Sequence, residues 1–599
     1  MSDALLTAIE HHRRGQLPQA EALYRQILAR DPMNADALHL LGVIAHQVGQ
    51  HAQAEQLIGQ AIRLKPGAAD FHSNLGETLR ALGKLDVAIA SYQRAIQLNP
   101  EHLDALINLG AALQSSGRTD EAIAAFERVV ALRPDHADAW SNLGFALGVK
   151  NLAYPAEAAC RRAIELNPNH ARAHANLAAA LQKQARAGEA VAAYRKAIDL
   201  EPAMRVAHGN LLLALNYDPA QTPQDVFAEH VRWAELHANV LGNDAPPHAN
   251  DRDENRRLRI GYVSPDLRRH SVAFFVEPLL AAHDRAAVEI FCYSDAERPD
   301  DVTQRIRASA DHWRECHGVV DDLFANIVRD DRIDILIDLA GHTGGNRLLA
   351  FARRSAPVQM TYLGYPNTTG LAAMDFRITD AWADPPGSTD AFHTEQLIRL
   401  PRTAWCYQPS REAPPVAPLP VESAGHITFA SFNKLAKISP LCLDTWAQLL
   451  RRIPDARMII KATALLDPIA RQRMNDAFAA REVDPARLHV LGPLATAAEH
   501  LSIYARADVA LDTFPYHGTT TTCDALYMGV PVVTLAGQTH VSRVGVSLLH
   551  TVGLEHLVAQ TPQQYVEIAT RLSEDREPLS RLRAELRPRM QSSPLFDGR

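Results

Sequence analysis

The chain has 599 residues, enough for three or more domains at roughly 100–200 residues apiece. Its net charge of −8, with no block of Lys or Arg, argues against nucleic acid and anionic membrane as main partners. Six cysteines (Cys160, Cys292, Cys316, Cys406, Cys442, Cys523) lack CxxC or Cys/His ligand spacing, so neither a zinc site nor a disulfide framework is expected and a reducing cytoplasm fits. The start, Met1-Ser-Asp-Ala-Leu-Leu6, has no basic stretch ahead of an apolar one, and no run reaches about 18 apolar residues. Neither a signal peptide nor a membrane span is expected.

The first third repeats every 34 residues, marked by Pro32, Pro66, Pro100, Pro134, Pro168 and Pro202. Twelve residues before each proline stands a small residue (Ala20, Ala54, Ala88, Ala122, Ala156, Ala190). Eight before it stands a bulkier one (Tyr24, Ile58, Tyr92, Phe126, Cys160, Tyr194). Leu-Gly or Leu-Ala closes the packing face of the first helix from Leu41-Gly42 to Leu177-Ala178. The pattern resembles the tetratricopeptide repeat, whose helix pairs bury their apolar faces only by stacking on neighbours, and it implies a right-handed solenoid with a concave groove. Asn74, Asn108, Asn142, Asn176 and Asn210 recur in the same register. An amide carries donor and acceptor together, the pair that holds an extended peptide backbone without reading its sequence. The plainer reading is a set of caps and solvated groove residues.

A seventh repeat breaks off at Tyr217. One helix is expected over 222–241, then a polar, Pro-containing segment from Asn243 to Glu254 marks a domain boundary. Beyond it, short apolar runs alternate with helical ones. Strands are expected at 258–263, 288–293, 333–339, 358–363 and 376–379, then, past a Pro-rich link at 409–420, at 427–432, 457–461, 488–491, 509–513 and 530–535. Alternation of this kind means two parallel-sheet lobes with a ligand cleft at the strand C-terminal ends. No GxGxxG or Walker loop is present, which disfavours NAD enzymes and P-loop NTPases.

The most informative stretch is the βαβ unit from Val509 to Leu535. Between its strands lies Gly518-Thr-Thr-Thr-Thr-Cys-Asp524, read as a tight loop over 518–522 and a short helix over 523–528 stopped by Gly529. A helix opening just after a strand offers free N–H groups and the positive dipole end to a diphosphate. Asp524 can accept from a ribose hydroxyl. An ordinary turn with Thr as N-cap is the competing reading.

The repeats with their Asn series, Phe432-Asn-Lys-Leu-Ala-Lys437, the Thr-rich loop ending at Asp524, Arg257-Leu-Arg-Ile-Gly-Tyr-Val-Ser264 and Leu363-Gly-Tyr-Pro366 together resemble the O-GlcNAc transferase/SPINDLY family over almost the whole chain. The resemblance implies an all-α repeat solenoid followed by a GT-B region of two Rossmann-like lobes. The domains are then 1–217 (six full repeats and a partial seventh), 218–256 (helical linker), 257–410 (N-terminal catalytic lobe), 411–426 (interlobe link) and 427–599 (nucleotide-sugar lobe). It implies metal-independent, cofactor-free, inverting transfer of GlcNAc from UDP-GlcNAc to Ser or Thr of proteins held along the repeats. Two alternatives stand beside it: transfer of fucose from GDP-fucose, as in plant SPINDLY-like members, and a non-catalytic peptide-binding scaffold. A second copy of the chain, joined through the repeats, is a further expected partner.

By the same resemblance Lys437 neutralises the donor diphosphate, where a cation stabilises charge developing on the leaving group. Lys434, Thr519, Thr520 and Thr521 line the phosphates, Asp524 binds ribose, His500 flanks the nucleotide and the Ala495 backbone reads the base. His270 stands at the donor sugar. His208 matches a histidine proposed as general base, yet it occupies a repeat position that also holds His72 and His174, so a structural role competes evenly. His342, Leu363, Gly364 and Pro366 are placed at the sugar and acceptor, and His540 and Cys523 are read as packing. The chain departs from the family at Lys434 (often Gln), His517 (often Asn) and Ile503 (often Arg). It also stops at Ser592-Ser-Pro-Leu-Phe-Asp-Gly-Arg599, where relatives continue into a helix across the lobes, so exposed apolar surface there or reduced activity is expected.

Overall fold

The computed structural model describes residues 3–242 and 246–599. Met1 and Ser2, and residues 243–245 of the expected boundary segment, lie outside the described residues. The chain divides into two compact units, Met1–Leu177 and Ala178–Arg599.

The first unit consists of antiparallel helix pairs, from Asp3–Arg13 with Leu17–Arg30 to Ala137–Val149 with Ala153–Leu166. The repeat signature has a direct packing cause. A Cβ on Gly42, Gly76, Gly110 or Gly144 would strike Ile58, Tyr92, Phe126 or Cys160, so the glycine of one helix makes room for the bulky residue of its partner. Ala54, Ala88, Ala122 and Ala156 are fully buried beside them. His39, Asp70, Asn74, Glu77, His102 and Asn108 line a polar depression of about 510 Å³ in this unit.

The second unit begins earlier than the pattern change at 217. The helices Arg205–Leu215 and Pro223–His237 are tied to the α/β region: Asn216 donates to the Tyr365 hydroxyl (3.1 Å), Asn367 donates to Asn216 (2.9 Å), and Tyr217 stacks on Tyr516 at 4.8 Å between centroids. Periodicity reports where repeats stop, whereas these contacts decide what packs as one body.

Two parallel sheets follow. The first holds β1 (Leu258–Ser264), β2 (Val288–Ser294), β3 (His312–Glu315), β4 (Ile335–Asp338), β5 (Val358–Thr361), β6 (Phe376–Asp380) and β7 (Gln396–Leu400), in the order β3-β2-β1-β4-β5-β6-β7. The second holds β8 (Thr428–Ser431), β9 (Arg457–Lys461), β10 (Leu488–Leu491), β11 (Val509–Leu511), β12 (Val532–Leu535) and β13 (Val558–Ala559), in the order β10-β9-β8-β11-β12-β13. Ile260, Tyr262, Ile290 and Ile337 meet Val276 and Leu280 of the covering helix Ala273–Ala282 in the first core. Strand order reverses between β1 and β4 and between β8 and β11, and such switch points open a crevice at the strand C-terminal ends. The strands β3, β7 and β13 escaped sequence reading.

The segment after the last long helix, Arg576–Gln591, returns to the first lobe. Tyr407 N–H donates to the Leu595 carbonyl (2.7 Å), Arg402 pairs with Asp597 (2.7 Å), and a Cβ on Gly598 would meet Ala282. Leu595 and Met590 are buried, so the apolar surface expected at this end is covered by the segment's own packing. No described helix is long and apolar enough to cross a membrane.

Candidate active site

The loops leaving β8 and β11 meet at the second switch point. After β8 the chain makes a 3-10 turn, Leu435–Lys437, which turns Lys437 toward the β11 loop. Its Nζ donates to the His517 carbonyl (2.7 Å) and lies 4.1 Å from the centroid of the Tyr516 ring. A carbonyl and a ring face leave the charge uncompensated. Burial and the neighbouring Lys434 cation push the ammonium down to about 7, against the opposing pull of Asp512. An anion placed at Nζ would be bound by a charge that little else neutralises.

The β11 loop is braced from below. Asp512 Oδ1 accepts the N–H of Thr513 (2.9 Å) and Gly518 (2.7 Å), and Oδ2 accepts Thr534 Oγ1 (2.8 Å). The following helix runs from Thr520 to Tyr527, three residues earlier than expected, so the threonines form its first turn rather than a loop. The first helical N–H groups have no acceptor within the helix. Cys523 N–H bonds the Thr519 carbonyl, leaving those of Thr520 to Thr522 at the mouth. Thr521 Oγ1 donates to Asn433 (2.9 Å) and Thr522 Oγ1 to the Gly518 carbonyl (3.1 Å), which fixes their oxygens in place. Thr519 makes no side-chain cap, which removes the plain N-cap reading for this residue.

One turn in, Asp524 is buried. Its Oδ1 accepts the Tyr407 hydroxyl (2.7 Å), while Oδ2 lies 3.8 Å from His500 Nε2. The His500 ring packs edge-on against Phe432 and Tyr504, and its Nδ1 is buried without a partner. Lys461, at the end of β9, lies over Phe432 and within the field of Asp524. The Ala495 N–H donates to Glu499 (2.9 Å), which leaves only its carbonyl side for a base. Ile503 is buried. His517 is fully buried, with Nε2 on the Leu535 carbonyl and Nδ1 accepting the Gly545 N–H, so it is neutral scaffolding. Among the described residues no group of three His, Cys, Asp or Glu is arranged to hold a metal ion.

From the first lobe, His270 follows β1. Its Nδ1 accepts the Val272 N–H (3.3 Å) and stands 3.6 Å from Asp266. Burial, then the Lys434 and Arg268 cations, lower its pKa against Asp266. Lys434, on the β8 loop, is thus close enough to act on His270 through its charge.

Two candidates part company with the site. His342 is buried, with Nε2 on the Thr369 carbonyl (2.8 Å) and its ring set edge-on to Trp233, His230 and Tyr365, so it packs the linker helix against the first lobe and faces no acceptor. His208 has no exposed surface; Nε2 meets Glu229 (2.8 Å) and Nδ1 meets His237 (3.1 Å). A general base needs an open lone pair at the acceptor, and this ring has none. Gly364 has a backbone reason: a Cβ there would land on the Leu339 carbonyl oxygen. Leu363 beside it holds a left-handed φ of 72°, and it and Pro366 are partly exposed.

The amide series is used between neighbouring helices. Asn74 bonds His39 (2.8 Å), Asn108 donates to Glu77 (2.7 Å), Asn176 donates to the Ser141 carbonyl (3.1 Å) and Asn210 bonds the Tyr194 hydroxyl. Asn142 is half-buried in the same register. Sequence reasoning missed Asn433, Tyr407, Lys461, Asp512 and Tyr516. Asn433 could have been found from its place in the Lys437 motif; Tyr407 carries no local signal.

Comparison with known proteins agrees with this architecture. A model described as Glycosyl transferase family 41 matches residues 207–408 and 419–599. Tetratricopeptide-repeat models match overlapping segments between residues 5 and 147, and residues 159–192. The chain is 43% identical over 392 residues to a tomato (Solanum lycopersicum) protein named "Probable UDP-N-acetylglucosamine--peptide N-acetylglucosaminyltransferase SPINDLY", covering 64% of this chain and 42% of that one. It is 33% identical over 356 residues to the Arabidopsis thaliana protein of the same description named SEC, covering 57% and 36%. A solved structure of a lysine-to-methionine mutant of the Thermobaculum terrenum O-GlcNAc transferase superposes with a TM-score of 0.77 at 40% identity, over 83% of this chain and 94% of that one. The chain spans about two fifths of the length of the curated relatives it matches.

Proposed function

Since the chain belongs to glycosyl transferase family 41, we propose that it is a protein O-glycosyltransferase that moves N-acetylglucosamine from UDP-GlcNAc to Ser or Thr hydroxyls of protein substrates. The observation that carries this reading is the convergence of one poorly compensated cation, Lys437, with the open helix mouth at Thr520–Thr522. A diphosphate between them meets an ammonium, backbone N–H donors and a helix dipole, all fixed before charge develops on the leaving nucleotide. Asp524 takes the ribose, and Thr519 and Lys434 border the phosphates. The acceptor oxygen attacks the anomeric carbon from the face opposite the nucleotide, which inverts that centre. Its proton passes to a donor phosphate oxygen; His270, whose Nδ1 accepts a backbone N–H, carries its own hydrogen on Nε2 and donates from there to an oxygen of the donor. Leu363, Gly364 and Pro366 border the sugar. The repeats bind the acceptor chain through the edges of the Asn74, Asn108, Asn142, Asn176 and Asn210 amides that neighbouring helices do not use. Six cysteines without disulfides suit a reducing cytoplasm.

A second donor has its own support. The chain is more like the SPINDLY proteins than the SEC protein, and the family resemblance allows GDP-fucose in SPINDLY-like members. Incubation of the purified chain and an acceptor protein with each donor, read by intact mass, separates the two. Addition of N-acetylhexosamine on Ser or Thr supports the first donor, deoxyhexose the second, and no transfer from either refutes the enzyme reading.

A further inference from the structure

Tyr407 lies near the end of the first lobe, after β7, in an aromatic nest. Its ring is 2% exposed and stands near Phe274, Phe275 and Phe596 at centroid distances of 6.3, 5.6 and 6.0 Å. A phenylalanine would satisfy such a nest, and a buried hydroxyl with no partner would cost stability. The hydroxyl has one partner, Asp524 Oδ1, at 2.7 Å across 117 positions of sequence. Burial, then the Asp524 charge, push the phenol well above its usual range, so it stays a donor at any working pH.

Its backbone is held as firmly. Tyr407 N–H donates to the Leu595 carbonyl and Gln408 N–H to the Phe274 carbonyl, both at 2.7 Å. The hydroxyl therefore stands at a point set jointly by the first lobe and the returning C-terminal segment. An aspartate on the first turns of a helix is free to turn about its side-chain bonds. With Oδ1 pinned by Tyr407, Oδ2 is left on the side of His500.

We infer that Tyr407 is a positioning residue that aims the Asp524 carboxylate at the ribose hydroxyls of the donor nucleotide. The inference rests on the nucleotide-binding reading of Asp524. It adds that ribose recognition is set from outside the nucleotide lobe, by a residue that never touches the nucleotide.

The test is titration calorimetry with UDP and GDP, each also in its 2′-deoxy and 3′-deoxy form, on the full chain and on Tyr407→Phe, Asp524→Ala and the double variant. Thermal melting shows which variants are folded. Tyr407→Phe should weaken the complete nucleotide roughly tenfold, the size of a hydrogen bond to a charged group, and leave a deoxy form nearly unchanged. The ratio between complete and deoxy nucleotide then collapses toward one. Adding Tyr407→Phe to Asp524→Ala should change nothing further, because the two act as one unit. An equal loss for complete and deoxy forms, or an unchanged ratio, would overturn the role of Tyr407 alone. If the unmodified chain binds neither nucleotide, the donor-site reading falls and takes this inference with it.

Discussion

Donor binding should take up a proton at Lys437. In the free protein this ammonium is pushed down to about 7 by burial and by Lys434, against a usual lysine value of about 10.4. A phosphate charge about 4 Å away contributes on the order of 4 kcal/mol at an effective dielectric of about 20, or about three pKa units. That is enough to restore the usual value in the complex. At pH 8.5 the free side chain is almost all neutral and the bound one almost all charged, so binding should absorb close to one proton, about 0.9 or more by linkage. The sign follows: affinity is highest below about pH 7 and falls about tenfold per pH unit from there toward pH 10. Calorimetry of UDP at pH 8.5 in two buffers of different ionisation enthalpy reads the uptake directly. His270, with its pKa lowered, is neutral at that pH. Lys434→Gln should raise the free Lys437 value and move the onset upward. No uptake at pH 8.5, or the same uptake in Lys437→Ala, refutes the assignment of the phosphates to this lysine.

His208→Ala removes a buried partner of Glu229 and should cost about 1–3 kcal/mol of stability, seen as a lower melting temperature, while turnover per folded molecule stays within a few fold. A thousandfold loss of turnover at unchanged melting temperature would restore His208 as the base. Gly364→Ala drives a methyl into the Leu339 carbonyl, a backbone clash that should cost about 3 kcal/mol or more in urea unfolding; wild-type stability would show that the turn yields. Asp384, in the first lobe, bonds His540 of the second at 2.6 Å. Although burial pushes its carboxyl up, the His540 contact holds it well below the usual range. A depressed carboxyl stabilises the fold above its unfolded value of about 3.9 and loses that contribution as pH falls through its folded value. Asp384→Asn should therefore melt lower than wild type at pH 6, and the gap should narrow below about pH 4; a constant gap contradicts the pairing.

The sequence disclosed those parts of the molecule whose causes are local. The 34-residue period reflects contacts one helix away, such as Gly76 against Tyr92, and repeats them. Strands such as β9 and β10, short runs rich in Ile, Leu and Val, were legible to the residue. The missed strands differ physically: β3 (His312-Trp-Arg-Glu315) and β7 (Gln396-Leu-Ile-Arg-Leu400) lie at sheet edges, where charged residues are tolerated, and β13 has two residues. At the site, a helix opening just after β11 was legible, though read three residues late, because it follows its strand at once; the part given to Lys437 came only from the family resemblance. What fixes them was not legible. Tyr407 reaches Asp524 from 117 residues away, and Tyr217 and Tyr516, from the turn after a repeat helix and from a nucleotide-lobe loop, stack only once both are folded. His208 shows the same limit: its repeat position is visible in the sequence, but its pairing with Glu229 and His237 is a property of the fold.

The central claim, that Lys437 and the Thr520–Thr522 helix mouth hold the leaving diphosphate of a nucleotide sugar, is tested most directly by turnover of Lys437→Ala. Initial rates of sugar transfer to a protein acceptor should be taken beside melting curves that show the variant is folded. The account predicts a loss of roughly 10²–10³ in kcat, the size of removing one fixed group that stabilises developing charge. A folded Lys437→Ala that transfers sugar at the unmodified rate would contradict it.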